Sequence, residues 1–196
     1  MPDRDAFAER GRSLEEDYFR KRDRELIEKT RQAAATEEIR KDLGHKTGLD
    51  DPELLQELHD LGFTPDTVGL LPFVPVIQMA WAEGGITKAE RELLLRLVRS
   101  RGVEVGSAAD HQLTEWMTNR PAEAVFARAG RLIRAMFDSG SPQIADLNAN
   151  DLVQCCEDIA AASGGILGIG RISPEERALL SSIAADLKGI VKLTKS

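Results

Sequence analysis

The sequence predicts an all-α fold: a compact multi-helix bundle over residues 51–196, carrying an internal helix-turn-helix repeat and preceded by a long charged helix. Three observations point there. The 196 residues are 42% hydrophobic but only 5% aromatic, so the core must be made of the Leu, Ile, Val and Ala that pack between helices. These residues recur at spacings of three and four, with few alternating runs of the kind that mark strands. Most stripes also begin with a Ser, Thr or Asp followed by Pro or Glu, the residues that cap and start helices.

Taken in order, residues 6–41 are rich in Glu, Arg, Lys and Ala, contain no proline and have one glycine, Gly11. They predict one long helix or two joined ones, with Ser13 and Glu16 offering a restart box after Gly11. Phe7, Gly11, Leu14 and Tyr18 share one face, with Phe19, Leu26 and Ile27 alongside. That stripe is too thin to form a core of its own, so the helix must lie on the domain, project into solvent or dock elsewhere. Residues 44–50 read as a linker between residues 1–43 and the bundle. Asp51-Pro52 starts a helix that Gly62 ends, and Thr64-Pro65 repeats the start. The run around Val76, Ile77, Ala80 and Trp81 begins near Pro72, and Thr87 with Glu90 caps the next helix, buried along Leu93, Leu94, Leu97 and Val98. Ser107 caps a helix to about Met117. Pro121 opens a central helix through Val125, Phe126, Ala129, Leu132, Ile133, Met136 and Phe137. After a break at 138–142, Asn150 or a neighbour caps a helix to Ala162. Ser173-Pro174-Glu175-Glu176 opens the last helix, striped by Leu179, Leu180, Ile183, Leu187 and Ile190.

Two segments echo each other. Gly84-Gly85 precedes Ile86-Thr87-Lys88-Ala89-Glu90-Arg91 and a leucine pair; Gly164-Gly165 precedes, six residues later, Ile172-Ser173-Pro174-Glu175-Glu176-Arg177 and another. Each reads as a helix, a glycine turn and a capped helix. Over about residues 52–192 this pattern resembles the tellurite-resistance TerB-like family. The resemblance implies an all-helical domain of two such units and a metal-binding stress protein. Family members often carry an aspartate before the glycine, implicated in metal binding; here Glu83 and Ser163 stand there, and only Glu83 keeps a carboxylate.

A second resemblance lies in about residues 7–27. Phe7, Arg10, Glu15, Glu16, Tyr18, Phe19, Arg20, Arg22 and Glu25 resemble the inhibitory segment of the mitochondrial F-type ATPase inhibitor protein, Phe-x-x-Arg followed by Glu-Glu-x-Tyr-Phe-Arg. That resemblance implies a helix that wedges into an interface of the ATPase and stops hydrolysis. The His-rich dimerising coiled coil of that family is replaced here by a linker and a globular domain. On this reading Phe7, Leu14, Tyr18 and Phe19 anchor in a partner's groove while Arg10, Glu15, Glu16 and Arg20 make charged contacts around them.

Other motifs in the chain have plainer roles. A net charge of -7 opposes nucleic-acid binding. The longest apolar run, 68–82, is interrupted by prolines and too short to cross a bilayer. Cys155 and Cys156 are adjacent and cannot staple distant parts, which suits a reducing cytoplasm. Asp146, Asn148, Asn150 and Glu157 sit at positions one, three, five and twelve of a calcium loop, but Asp151 replaces the turn glycine. The glycines of 164–171 suggest a phosphate loop that no strand precedes. Arg128, Arg131 and Arg134 read as a solvated face. His45, His59 and His111 lack metal-ligand spacing, and no nucleophile stands with a base. The expectation is a non-enzymatic cytoplasmic protein with no cofactor, binding a protein partner through its N-terminal helix. A metal-binding stress protein is the alternative and an enzyme the third choice.

Overall fold

A computed structural model describes residues 3–162 and 172–189, with residues 3–19 described as helix backbone only. The regular secondary structure of the described residues is all helical, with no strand among them. The chain divides into two compact units, residues 1–41 and 42–196.

Helix α1 (Asp3–Thr47) spans the division as one continuous element. It passes through Gly11 and Ser13 without a break, so no restart box is used. One glycine in a helix costs about 1 kcal/mol, too little to interrupt so long a run of good helix formers. The helix also runs into the stretch expected to be a linker, ending at Thr47. Composition misled there: Gly44, His45 and Lys46 look like linker residues, but Leu43 and Thr47 are completely buried and Leu49 nearly so. The Thr47 hydroxyl donates to the Leu43 carbonyl, and Gly48, at φ 71°, donates its N–H to the Gly44 carbonyl. The last turn of α1 is therefore part of the second unit's core.

In that unit, α2 (Pro52–Asp60) is capped by Asp51, whose Oδ1 accepts the Glu53 N–H. Thr64 and Pro65 open a turn instead of the expected helix, because the Thr64 carbonyl is taken by the N–H groups of Thr67 and Val68 and the chain tightens into a 3-10 helix over Val68–Phe73. The short α3 (Val74–Ala80) follows, with Pro75 in its first turn. Then come α4 (Lys88–Ser100), α5 (Ala108–Thr118), α6 (Glu123–Ser139), α7 (Ala149–Ala162) and α8 (Pro174–Lys188). Thr87, Ser107 and Ser173 cap α4, α5 and α8 as their sequences require. Asn148, rather than Asn150, caps α7: its Oδ1 accepts the N–H groups of Asn150 and Asp151. Ile190 of the expected α8 stripe lies outside the described residues.

Helix α3 is the centre. Six of its seven residues are buried, and it packs most extensively on α7 and also on α6, α8 and α4. The α6 residues Leu132, Ile133 and Met136, fully buried, close the core from one side. Helices α6 and α8 meet at Gly130. A Cβ at that position would stand 2.9 Å from the Asp186 Cβ, so the glycine is what lets the two backbones approach. Gly130→Ala improves helix propensity yet forces α8 outward; we predict a loss of about 1–3 kcal/mol in urea unfolding, where propensity alone would give a gain of about 1 kcal/mol.

Candidate functional site

The two features that the sequence singled out, the Gly84-Gly85 corner and the N-terminal helix, are built very differently. At the corner, α3 ends with Trp81, and residues 81–85 form a turn in which Gly84 takes φ 84°. Trp81 Nε1 donates to the Trp116 carbonyl at 2.8 Å and Arg91 Nη2 to the Met117 carbonyl at 2.8 Å. These are carbonyls of the last turn of α5, which have no partner within their own helix. Two side chains of the corner thus satisfy the end of α5 and fix its position. Phe63 adds an edge-to-face contact with Trp116, ring centres 5.8 Å apart.

The capping box of α4 is complete. The Glu90 carboxylate accepts the Thr87 N–H at 2.7 Å and the Thr87 hydroxyl at 2.8 Å, while the Glu90 N–H donates to the Thr87 hydroxyl oxygen. The α8 box is its likeness: Glu176 accepts the Ser173 N–H at 2.7 Å, and the Glu176 N–H donates to the Ser173 hydroxyl. Both glutamates are buried. Burial raises the Glu90 carboxyl above its ordinary value, its hydrogen bonds to Thr87 pull the other way, and the neighbouring charges of Glu83 and Glu176 add to the rise. The structure therefore gathers Glu83, Glu90 and Glu176 into one acidic neighbourhood, with Glu83 itself exposed on the turn. In the sequence Glu83 stands out and Glu90 and Glu176 read only as caps; nothing in spacing along the chain announces that two caps converge. Ser163 and the glycine loop 164–171 lie outside the described residues.

The stretch Asp146 to Glu157 is a helix start. Asn148 is occupied with the cap, the Asp151 Oδ2 accepts the Asn148 N–H at 3.0 Å, and Glu157 stands two turns along α7. Asp146 and Asn150 are exposed. Among the described residues, no group of three or more His, Cys, Asp or Glu side chains could hold a metal ion. Burial raises the thiols of Cys155 and Cys156, which keeps both in the less reactive protonated form. The arginine ridge is solvated at Arg128 and Arg131, both exposed, and it also has partners within the fold. Arg131 pairs with the buried Glu57 of α2, Arg128 lies 3.7 Å from the same carboxylate, and Arg134 packs beside Gly189.

Helix α1 offers the other kind of surface. From Arg20 to Ala35 every residue is exposed, and the backbone is supported by local contacts such as Thr30 Oγ1 to the Leu26 carbonyl and Gln32 Nε2 to Glu28 Oε1. Leu26 and Ile27 are 63% and 53% exposed. With Val105 they are the large hydrophobic residues left in solvent among the described residues. Residues 20–31 carry six basic and three acidic side chains. Arg20 is at the start of this stretch; the side chains of Phe7, Arg10, Leu14, Glu15, Glu16, Tyr18 and Phe19 lie outside the described residues.

No helix among the described residues is long and apolar enough to cross a membrane. Comparison of the chain with protein-family models, curated proteins and solved structures finds no match.

The raised Glu90 carboxyl has a definite pH consequence. An acid whose folded pKa is raised stabilises the fold below its unfolded value, near 4.5, and that contribution is lost as pH rises through the folded value. Glu90→Gln removes the charge and keeps an oxygen for the Thr87 N–H. Thermal unfolding should show the variant gaining on the wild type as pH is raised from 4.5 towards neutrality; a gap independent of pH would contradict the assignment.

Proposed function

We propose that this chain is a non-enzymatic regulatory protein: a TerB-like helical domain whose N-terminal helix docks on a protein partner, with a rotary F-type ATPase as the partner its residue pattern indicates. The observation that carries the reading is the exposure of every residue from 20 to 35, Leu26 and Ile27 included. Solvent is a poor place for two adjacent aliphatic side chains on a helix otherwise dominated by charge, and burying each in a partner's groove would contribute about 1.5–3 kcal/mol. The surrounding excess of basic side chains suits an acidic rim on that partner. Tyr18 and Phe19, with Phe7 and Leu14, extend the same reading towards the N-terminus through the resemblance to the ATPase inhibitor.

The domain behind the helix supports the same reading in a different way. The pair of capping boxes at Thr87–Glu90 and Ser173–Glu176, with both glutamates buried, fits two related helical hairpins, α3–α4 and α7–α8, packed into one carrier. The last turn of α1 is anchored in that carrier through Leu43 and Thr47, so a binding event on α1 has a fixed end.

Two measurements test this. Full-length protein should slow ATP hydrolysis by purified F-type ATPase, and Tyr18→Ala/Phe19→Ala should relieve the inhibition at least tenfold in concentration. For docking in general, Leu26→Asp/Ile27→Asp and a deletion of residues 1–41, which spares the buried Leu43, should both abolish partner capture from lysate without lowering the melting temperature of the domain. Retained capture by both variants would dismiss the proposal.

A further inference from the structure

The second unit contains a cavity of about 660 Å³ that neither the docking helix nor the capping boxes use. It lies where the end of α1, the 3-10 helix 68–73, the end of α4, the start of α5 and the segment 142–147 meet. Its size falls within the range of about 300–1,000 Å³ usual for small-molecule sites. The lining is mostly polar, and its accessible apolar surface comes from Pro65, Val103, Pro142 and Ala145, above the buried Phe73, Ala109, Ile144 and Leu147. The rim is charged with both signs: Lys46 and Arg101 on one hand, Asp66, Glu104 and Asp146 on the other.

Two details argue that this is a built space. Arg101 is held in place, its Nη1 donating to the Asp146 carbonyl at 3.0 Å, which leaves the rest of its fork of donors for a carboxylate. Gly69 lines the wall inside a helical turn, yet it is not among the glycines at positive φ. Its backbone does not require glycine. A Cβ there would meet only Gln143 Oε1, at 3.4 Å, so what the missing side chain provides is room. The start of α5 does not compete for an anion, because Asp110 already accepts the Gly106 N–H and its own N–H is taken by Ser107.

The geometry points to a binding site for a small zwitterion with an apolar side group, of the apolar amino-acid or dipeptide class. The apolar group lies against Pro65, Val103 and Ala145, the carboxylate faces Arg101 and Lys46, and the ammonium faces the carboxylates of Asp66, Glu104 and Asp146. The mixed rim offers a partner to each charge of a zwitterion, where a ligand carrying one charge or none would use only part of it.

The test uses the full chain and four probes at millimolar concentration: L-leucine, L-phenylalanine, the dipeptide Leu-Gly, and N-acetyl-leucine amide as the uncharged control. Binding is read by calorimetry and by the rise in melting temperature. At least one zwitterion should bind and the amide should not. Gly69→Leu, which fills the cavity without straining the backbone, and Arg101→Met should each weaken binding by about tenfold or more while the ligand-free melting temperature of Gly69→Leu stays at or above that of the wild type. Absence of binding by all three zwitterions overturns the assignment. So does equal binding of the amide, or unchanged affinity in both variants.

Discussion

Everything in the second unit depends on burying a seven-residue helix on all sides. Helix α3 can satisfy its internal hydrogen bonds over barely two turns, so it is stable only where neighbouring helices enclose it. Val74, Val76, Ile77, Met79 and Ala80 are each at most 2% exposed, and α4, α6, α7 and α8 all pack against them. The 3-10 helix before it and the glycine turn after it exist to bring the chain into and out of that centre. Pro72 and Pro75 serve the entry, where their missing N–H groups fall in short helical turns instead of interrupting a long ladder.

Around α3 the structure settles an electrostatic conflict in favour of local hydrogen bonding. Two capped helices begin close together, and each cap brings in a buried glutamate. Like charges at close range in a partly desolvated place should repel. Each carboxylate is nevertheless held at hydrogen-bond distance by the N–H of its own cap residue, Thr87 or Ser173, and burial, with the neighbouring charges adding a smaller part, raises the Glu90 carboxyl. The fold tolerates the cluster because losing a capping box would expose unsatisfied donors at the start of α4 or α8.

Most of this was legible in the sequence because it is local. Thr87–Glu90, Ser173–Glu176, Asp51-Pro52 and Ser107 announce helix starts through residues one to three positions apart, and aliphatic spacing gives the buried faces. What was not legible depends on partners distant in sequence. Residues 44–47 look like a linker until Leu43 and Thr47 find the core. Arg131 is solvated as its spacing suggests, but nothing near it in sequence announces its ion pair with Glu57 of α2. Thr64-Pro65 carries a helix-start signal, yet the carbonyl of Thr64 closes a turn. For the site, the sequence pointed to the N-terminal helix and to Glu83, but the convergence of Glu90 and Glu176 and the cavity beside Gly69 and Arg101 are products of topology.

Docking by the N-terminal helix turns on a contrast between the two units: the second has a large aliphatic core and leaves Val105 as its exposed large hydrophobic among the described residues, while residues 20–35 of the first leave both Leu26 and Ile27 in solvent. Amide hydrogen exchange on the full-length chain, alone and mixed with F-type ATPase, tests that contrast most directly. Docking through α1 predicts marked slowing of exchange within residues 7–35 on mixing, with α3, α6 and α7 unchanged. Unaltered exchange in α1, or slowing confined to the second unit, would contradict it.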